Sequence, residues 1–230
     1  MSGFETIKAE LPEIHMPETT NDVAQDVKFG MEPTISEEKA DCIFNELMSD
    51  YNVQSEDMLI KEYAFDIVDL IGYSEEDFSF DDMKLDIDVL KEYTSLFDEE
   101  AWESFDTIEK INAIKQFGEA LADQLGIVDV PNIEVYRDLL GRYGAYYPDD
   151  NKLKVNVLYI DDAKETLDTV AHEMRHAYQR MRAYNPQTEE DYKYKANFNE
   201  YIYSNANFSM YQSQYVEAEA RAFADYIKNL

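Results

Sequence analysis

The stretch Ala171-His172-Glu173-Met174-Arg175-His176-Ala177-Tyr178-Gln179 decides how this chain is read. His172 and His176 stand four apart around Glu173, the spacing H-E-x-x-H. On a helix, residues four apart stack on one face, so two imidazoles can bind one zinc ion while Glu173 lies beside them. The flanking residues predict such a helix over roughly 162–184. Asp162 with Glu165 makes a capping box, and Leu167, Val170, Ala171, Met174, Ala177, Tyr178 and Met181 recur at helical steps. At 100° per residue both histidines fall opposite that apolar stripe, so they are not expected in its buried seam. Arg175 points away from the histidine face and reads as structural.

A zinc site needs a third protein ligand, with one position left for water. The continuation H-E-x-x-H-x-x-G-x-x-H is absent, because Gln179 and Arg182 hold the positions of its glycine and last histidine. The only other histidine, His15, lies in a polar N-terminal stretch. A carboxylate from a later helix is therefore expected. The last predicted helix, roughly 211–228, offers Glu217 and Glu219. These flank its Val216/Ala220/Phe223/Ile227 stripe almost symmetrically, so periodicity leaves both open.

Upstream, Ile108, Ile111, Ile114, Phe117, Leu121 and Leu125 predict an amphipathic helix closed by Gly126. Three strands are expected next, at Asn132–Tyr136, Tyr143–Tyr147 and Leu153–Ile160. The turn residues Pro148-Asp149-Asp150-Asn151 favour a hairpin between the last two. A Tyr/Asn-rich connection joins the two late helices. Helices, then strands, then helices imply an α+β fold. Residues 1–34 are polar and acidic, with Pro12, Pro17 and Pro33, and read as a mobile arm. Residues 35–100 read as an acidic helical region: one face from Ile35 to Tyr51, a run from Met58 to Ile71 ending at Gly72, and a run from Met83 to Phe97. The domain expected to carry the chemistry spans 101–230.

Charge separates the two ends of the chain. The 230 residues carry a formal net charge of −30. Residues 1–100 hold 28 acidic and 6 basic side chains, and 101–230 hold 22 and 14. So acidic a protein is repelled by nucleic-acid phosphates and anionic membranes, which excludes a basic-patch binder of either. With 45% hydrophobic residues there is material for a core, so wholesale disorder is not expected. The single cysteine, Cys42, excludes a disulfide framework or a Cys-rich zinc module. No signal peptide and no spanning segment is read, and a cytoplasmic location is expected.

H-E-x-x-H followed by a helical Glu resembles the gluzincin branch of the zincin metallopeptidases. In that branch the ligand Glu often begins E-x-x-A or E-x-x-x-D. Glu217 to Ala220 fits the first, which favours Glu217, and Arg221 stands where the second has its Asp. The alternative register E-A-x-x-F-A is similar to a pattern in ImmA/IrrE-type peptidases and would favour Glu219. The chain is also similar, over about 105–230, to small metallopeptidase-like proteins of bacteria and their phages. The matching parts are Tyr143–Tyr147 (loosely), Val155-Asn156, Thr169 to Gln179, and Gln214 to Ala224. The resemblance implies a small mixed sheet with an active-site helix and a ligand helix. It also implies Zn2+ on His172, His176 and Glu217, with Glu173 as general base in hydrolysis of a cytosolic protein's peptide bonds. Tyr211 and Tyr215 are candidates to stabilise the oxyanion, although packing is the ordinary role of each. The strand Leu153–Ile160 either binds an extended peptide along its edge or only completes the sheet.

Two other readings follow from the acidity. The first hundred residues could mimic DNA and meet a basic protein partner, on an inactive zincin scaffold. Alternatively, the acidic arm could act as a prosegment covering the cleft.

Overall fold

A three-stranded mixed sheet organises residues 65–139 and 141–230, the part of the chain described by this computed structural model. The expected arm at 1–34, the helical face from Ile35 to Tyr51 and the start of the run from Met58 lie outside the described residues. The strands are β1 (Asn132–Tyr136), β2 (Gly144–Tyr147) and β3 (Lys152–Asn156), in the order β1-β3-β2. β3 pairs parallel with β1 and antiparallel with β2, Tyr146 facing Leu153. The expected hairpin turns through Pro148–Asp150 and closes at Asn151, whose φ of 47° is left-handed. Asparagine tolerates that conformation because its side chain can bond locally. Here Asn151 takes a 3.0 Å hydrogen bond from the Tyr146 hydroxyl and donates to the Asp129 carbonyl.

The central position of β3 removes one expectation. Both of its edges are paired, so it has no edge for an extended peptide, and the strand ends at Asn156 rather than Ile160. Asn156 is fully buried. Its amide donates to the carbonyls of Asp138 and Arg142, and its Oδ1 accepts from Asp138 and Leu158 N–H. One side chain thus pins the β1–β2 connection against the end of β3.

The helices are α1 (Ile87–Thr94), α2 (Glu99–Ser104), α3 (Thr107–Gln124), α4 (Ala163–Tyr184), α5 (Glu189–Asn199), α6 (Phe208–Ser213) and α7 (Tyr215–Lys228). Helices and a small mixed sheet make this an α+β fold. α1 starts at Ile87 rather than Met83, because Asp86 caps it by accepting from Val89 N–H. α4 begins where expected, with Asp162 accepting from Glu165 N–H. It packs against β2 and β3 on one side and against α3, α5 and α7 on others. Gly144 permits the close approach to β2: a Cβ there would lie 2.5 Å from Thr169 Cγ2 and 2.9 Å from the Lys154 carbonyl oxygen.

The described part of the acidic helical region joins the same core as the later residues. Phe80, Leu90 and Phe97 are buried with Phe117, Val170 and Phe223, and the Trp102 indole donates to the Ile160 carbonyl at 2.7 Å. Every Asp and Glu between 65 and 100 is exposed, so this charge forms a solvated outer face.

Candidate metal centre

The site forms where α4 meets the first turn of α7. α4 is buried around most of its circumference, because Arg175 and Gln179 are buried as well as Leu167, Val170, Ala171, Met174 and Ala177 of the predicted stripe. His172 and His176 therefore do not face open solvent, as their position opposite that stripe suggested. Their side chains are only 16% and 12% exposed, against α7. The imidazoles meet edge to face, with Nε2 atoms 3.1 Å apart. Glu217, 1% exposed, completes the group: its Oε1 lies 3.3 Å from His176 Nε2 and its Oε2 lies 3.5 Å from His172 Nε2.

These distances carry chemical information. Two ligand atoms on a tetrahedral zinc ion, each about 2.0–2.1 Å from it, stand about 3.3 Å apart. The three separations here, 3.1, 3.3 and 3.5 Å, bracket that value. Glu217 Oε2 is moreover buried without any hydrogen-bond partner among the described residues. A buried carboxylate oxygen left unpaired is costly, and two imidazole nitrogens facing each other need a proton or a cation between them. The donor set is two imidazole nitrogens and one carboxylate, which suits Zn2+. His172, His176 and Glu217 also form the one group of His, Cys, Asp and Glu among the described residues with metal-holding geometry.

Neighbours fix the orientation of the group. Gln179 Nε2 donates to the Val216 carbonyl at 2.9 Å and to the Glu219 carboxylate. Its Oε1 is thereby turned to His176 Nδ1, 2.8 Å away. An amide oxygen only accepts, so we assign the proton to Nδ1, and the Nε2 lone pair points into the site. Tyr201 donates its hydroxyl to Glu217 Oε1. Tyr211 stands beside that pair, its ring centroid 6.2 Å from that of Tyr201. Burial pushes both hydroxyls above the ordinary phenol range, and the Glu217 carboxylate pushes them further.

Electrostatics within the group are tightly coupled. Burial disfavours the imidazolium of His176, but Glu217 outweighs it and raises the pKa to about 9 in the metal-free protein. Burial likewise opposes the charge on Glu217, but His176 and then His172 hold its carboxyl well below the ordinary range. Its place in the first turn of α7 adds the favourable end of the helix dipole.

Glu219 faces elsewhere. It takes hydrogen bonds from Arg175, Gln179 and the Tyr194 hydroxyl, the last at 2.8 Å. Arg175 is sandwiched among Phe80, Tyr178 and Phe223, which makes it structural. The structure thus brings Glu217, and not Glu219, to the two imidazoles. Glu173 is half-buried beside them, and its Oε2 takes a 2.7 Å hydrogen bond from the Tyr146 N–H of β2. Tyr215 packs among Tyr73, Phe78 and Tyr194 and lies outside the group.

Sequence reasoning missed Tyr201 and the whole of α5, which it took for a connection. α5 buries Asp191, Tyr194 and Asn197 and has no apolar stripe to reveal it. The available signal was Thr188 followed three residues later by Asp191, which forms a capping box.

Compared with protein-family models, with curated proteins and with solved structures, the chain matches none of them.

Proposed function

We propose that this protein is a zinc-dependent metallopeptidase, with His172, His176 and Glu217 holding the ion and Glu173 as general base. The observation that supports this most is the buried convergence of three ligand atoms, one of them the unpartnered Glu217 Oε2, next to a carboxylate that is not a member of the group. A zinc ion held there would polarise a carbonyl and acidify a water.

The chain's own residues account for the rest. Glu173 accepts a proton from the attacking water and passes it to the leaving amine. Its bond to Tyr146 N–H anchors one oxygen to the sheet and leaves the other to take the proton. Gln179 keeps His176 in the tautomer that presents Nε2. Tyr201 and Tyr211, rather than Tyr215, stand at the Glu217 carboxylate, so one of these two would donate to a developing oxyanion. β2 is the sheet edge next to Glu173, so an extended peptide would run along β2 and not along β3.

Incubation of the zinc-supplemented full chain with a denatured proteome, followed by mass spectrometry of new N-termini, tests the reading. Wild type is expected to generate new termini, and Glu173→Gln to generate none while keeping its metal. No cleavage by wild type, or equal cleavage by Glu173→Gln, overturns it.

A further inference from the structure

A cleft of about 730 Å³ opens beside the candidate centre. Tyr146, whose N–H holds Glu173, is one of its walls, so the cleft adjoins the centre across that residue, although His172, Glu173, His176 and Glu217 do not line it. Arg180 is another wall. On α4 it follows His176 by one turn, about 6 Å along the axis, and lies within about 20° of the azimuth of Glu173. Its guanidinium carbon sits 3.7 Å from the centre of the Phe198 ring, which holds it in place.

What marks Arg180 is the partner it lacks. In a chain with 50 acidic and 20 basic side chains, an arginine withdrawn from solvent is expected to be claimed by a carboxylate. Arg175 has Glu219, Arg182 has Asp191 and Arg221 has Glu75. Arg137 and Arg142 also form no ion pair among the described residues but are exposed; Arg180 is the one described arginine that is half-buried and forms none. Asp149 acts on it only at longer range, and Asp129, which also lines the cleft, is bonded to neither Arg180 nor Lys195 on the same wall. Val128 and Tyr184 on the rim are 93% and 91% exposed, apolar surface that an occupant would cover.

We infer that this cleft binds the substrate peptide through a carboxylate received by Arg180. The separation from Glu173 along α4, about 10 Å, corresponds to roughly three residues of extended chain, so the carboxylate lies about three residues from the bond attacked. It is either an Asp or Glu side chain or the C-terminal carboxylate. The planar fork of arginine, already stacked on Phe198, suits either. The position relative to the bond rests on the peptidase reading; the binding does not.

The test measures binding to the full chain carrying Glu173→Gln with zinc present, by fluorescence anisotropy. Three rhodamine-labelled Ala/Ser peptides serve as probes: one with a central Glu and an amidated C-terminus, the same with Gln, and the Gln peptide with a free C-terminus. One carboxylate peptide is expected to bind about tenfold or more tightly than the Gln amide. Which of the two does so tells a side chain from a terminus. Added Arg180→Gln is expected to erase the preference, and Lys115→Gln, on the exposed face of α3, to preserve it. Should Arg180→Gln fail to fold by circular dichroism, Arg180→Lys decides: it is expected to cut the preference several-fold, having no fork to offer. Equal binding of all three peptides, or a preference that survives these variants, overturns the inference. Carboxylate preference without cleavage by wild type sinks the peptidase reading alone, and cleavage without preference sinks this inference alone.

Discussion

Glu217 and Glu219 lie two residues apart on α7, both 1% exposed, yet their surroundings differ in kind. Around Glu219, Arg175, Gln179 and Tyr194 supply donors to both carboxylate oxygens and one full positive charge. Around Glu217, Tyr201 donates to one oxygen with Tyr211 beside it, and the other oxygen faces an imidazole with no bond made. The first is a closed structural ion pair. The second is an open one, complete only when a cation or proton arrives. Burial alone therefore does not separate a structural carboxylate from a ligand; the count of donors does.

The largest effect follows from breaking the closed side. Glu219→Gln leaves Arg175 buried without its counter-charge, and a loss of about 3–5 kcal/mol in urea unfolding is expected. In chelator at about pH 10, above the pKa of His176, Glu217→Gln should cost no more than about 1 kcal/mol, since the imidazolium it pairs with has shed its charge. Equal losses would erase the contrast between the two sites.

Metal sharpens the comparison in the other direction. With free zinc at a hundred times its dissociation constant, wild type and Glu219→Asp should gain about 2.7 kcal/mol of stability. Glu217→Gln should gain none. Next comes Gln179, which touches both sites. Gln179→Leu frees His176 Nδ1, and zinc affinity measured against a competing chelator should fall about 10–100-fold.

A further comparison is the pH dependence. In the metal-free protein the pKa of His176 is raised to about 9, above the ordinary 6.5, by the Glu217 carboxylate. The stability it contributes is present in full below pH 6.5 and is lost as pH rises through about 9. The depressed carboxyl of Glu217 works in the opposite sense, its contribution fading as pH falls below the ordinary carboxylate range. Zinc needs the neutral imidazole, so apparent affinity should climb with pH and level off near 9. Calorimetry in buffers of different ionisation enthalpy at pH 7 should find about one proton released per ion bound.

Much of this contrast was legible in the residues, and the limits have physical causes. The H-E-x-x-H spacing and helical periodicity locate α4, and Asn132–Tyr136 is a strand as expected. The two glutamates could not be told apart, because they flank the α7 stripe almost equally and differ only in long-range partners on α4, on α5 and at Tyr201 beyond it. α5 itself escapes pattern reading since it buries Asp191, Tyr194 and Asn197, held respectively by Arg182, Glu219 and Gln214. Strand order is equally invisible: nothing in the stretch 152–156 says that β3 lies between β1 and β2. The extreme acidity, conspicuous in composition, resolves between 65 and 100 into exposed side chains around an apolar core.

The central claim is that the open carboxylate site holds a metal ion. Elemental analysis of the full chain, purified without chelator beside the His172→Ala/His176→Ala double variant and Glu217→Gln, tests it most directly. Close to one zinc per wild-type chain is expected, and none in either variant. A wild-type protein free of zinc, or zinc retained in the double variant, would contradict it.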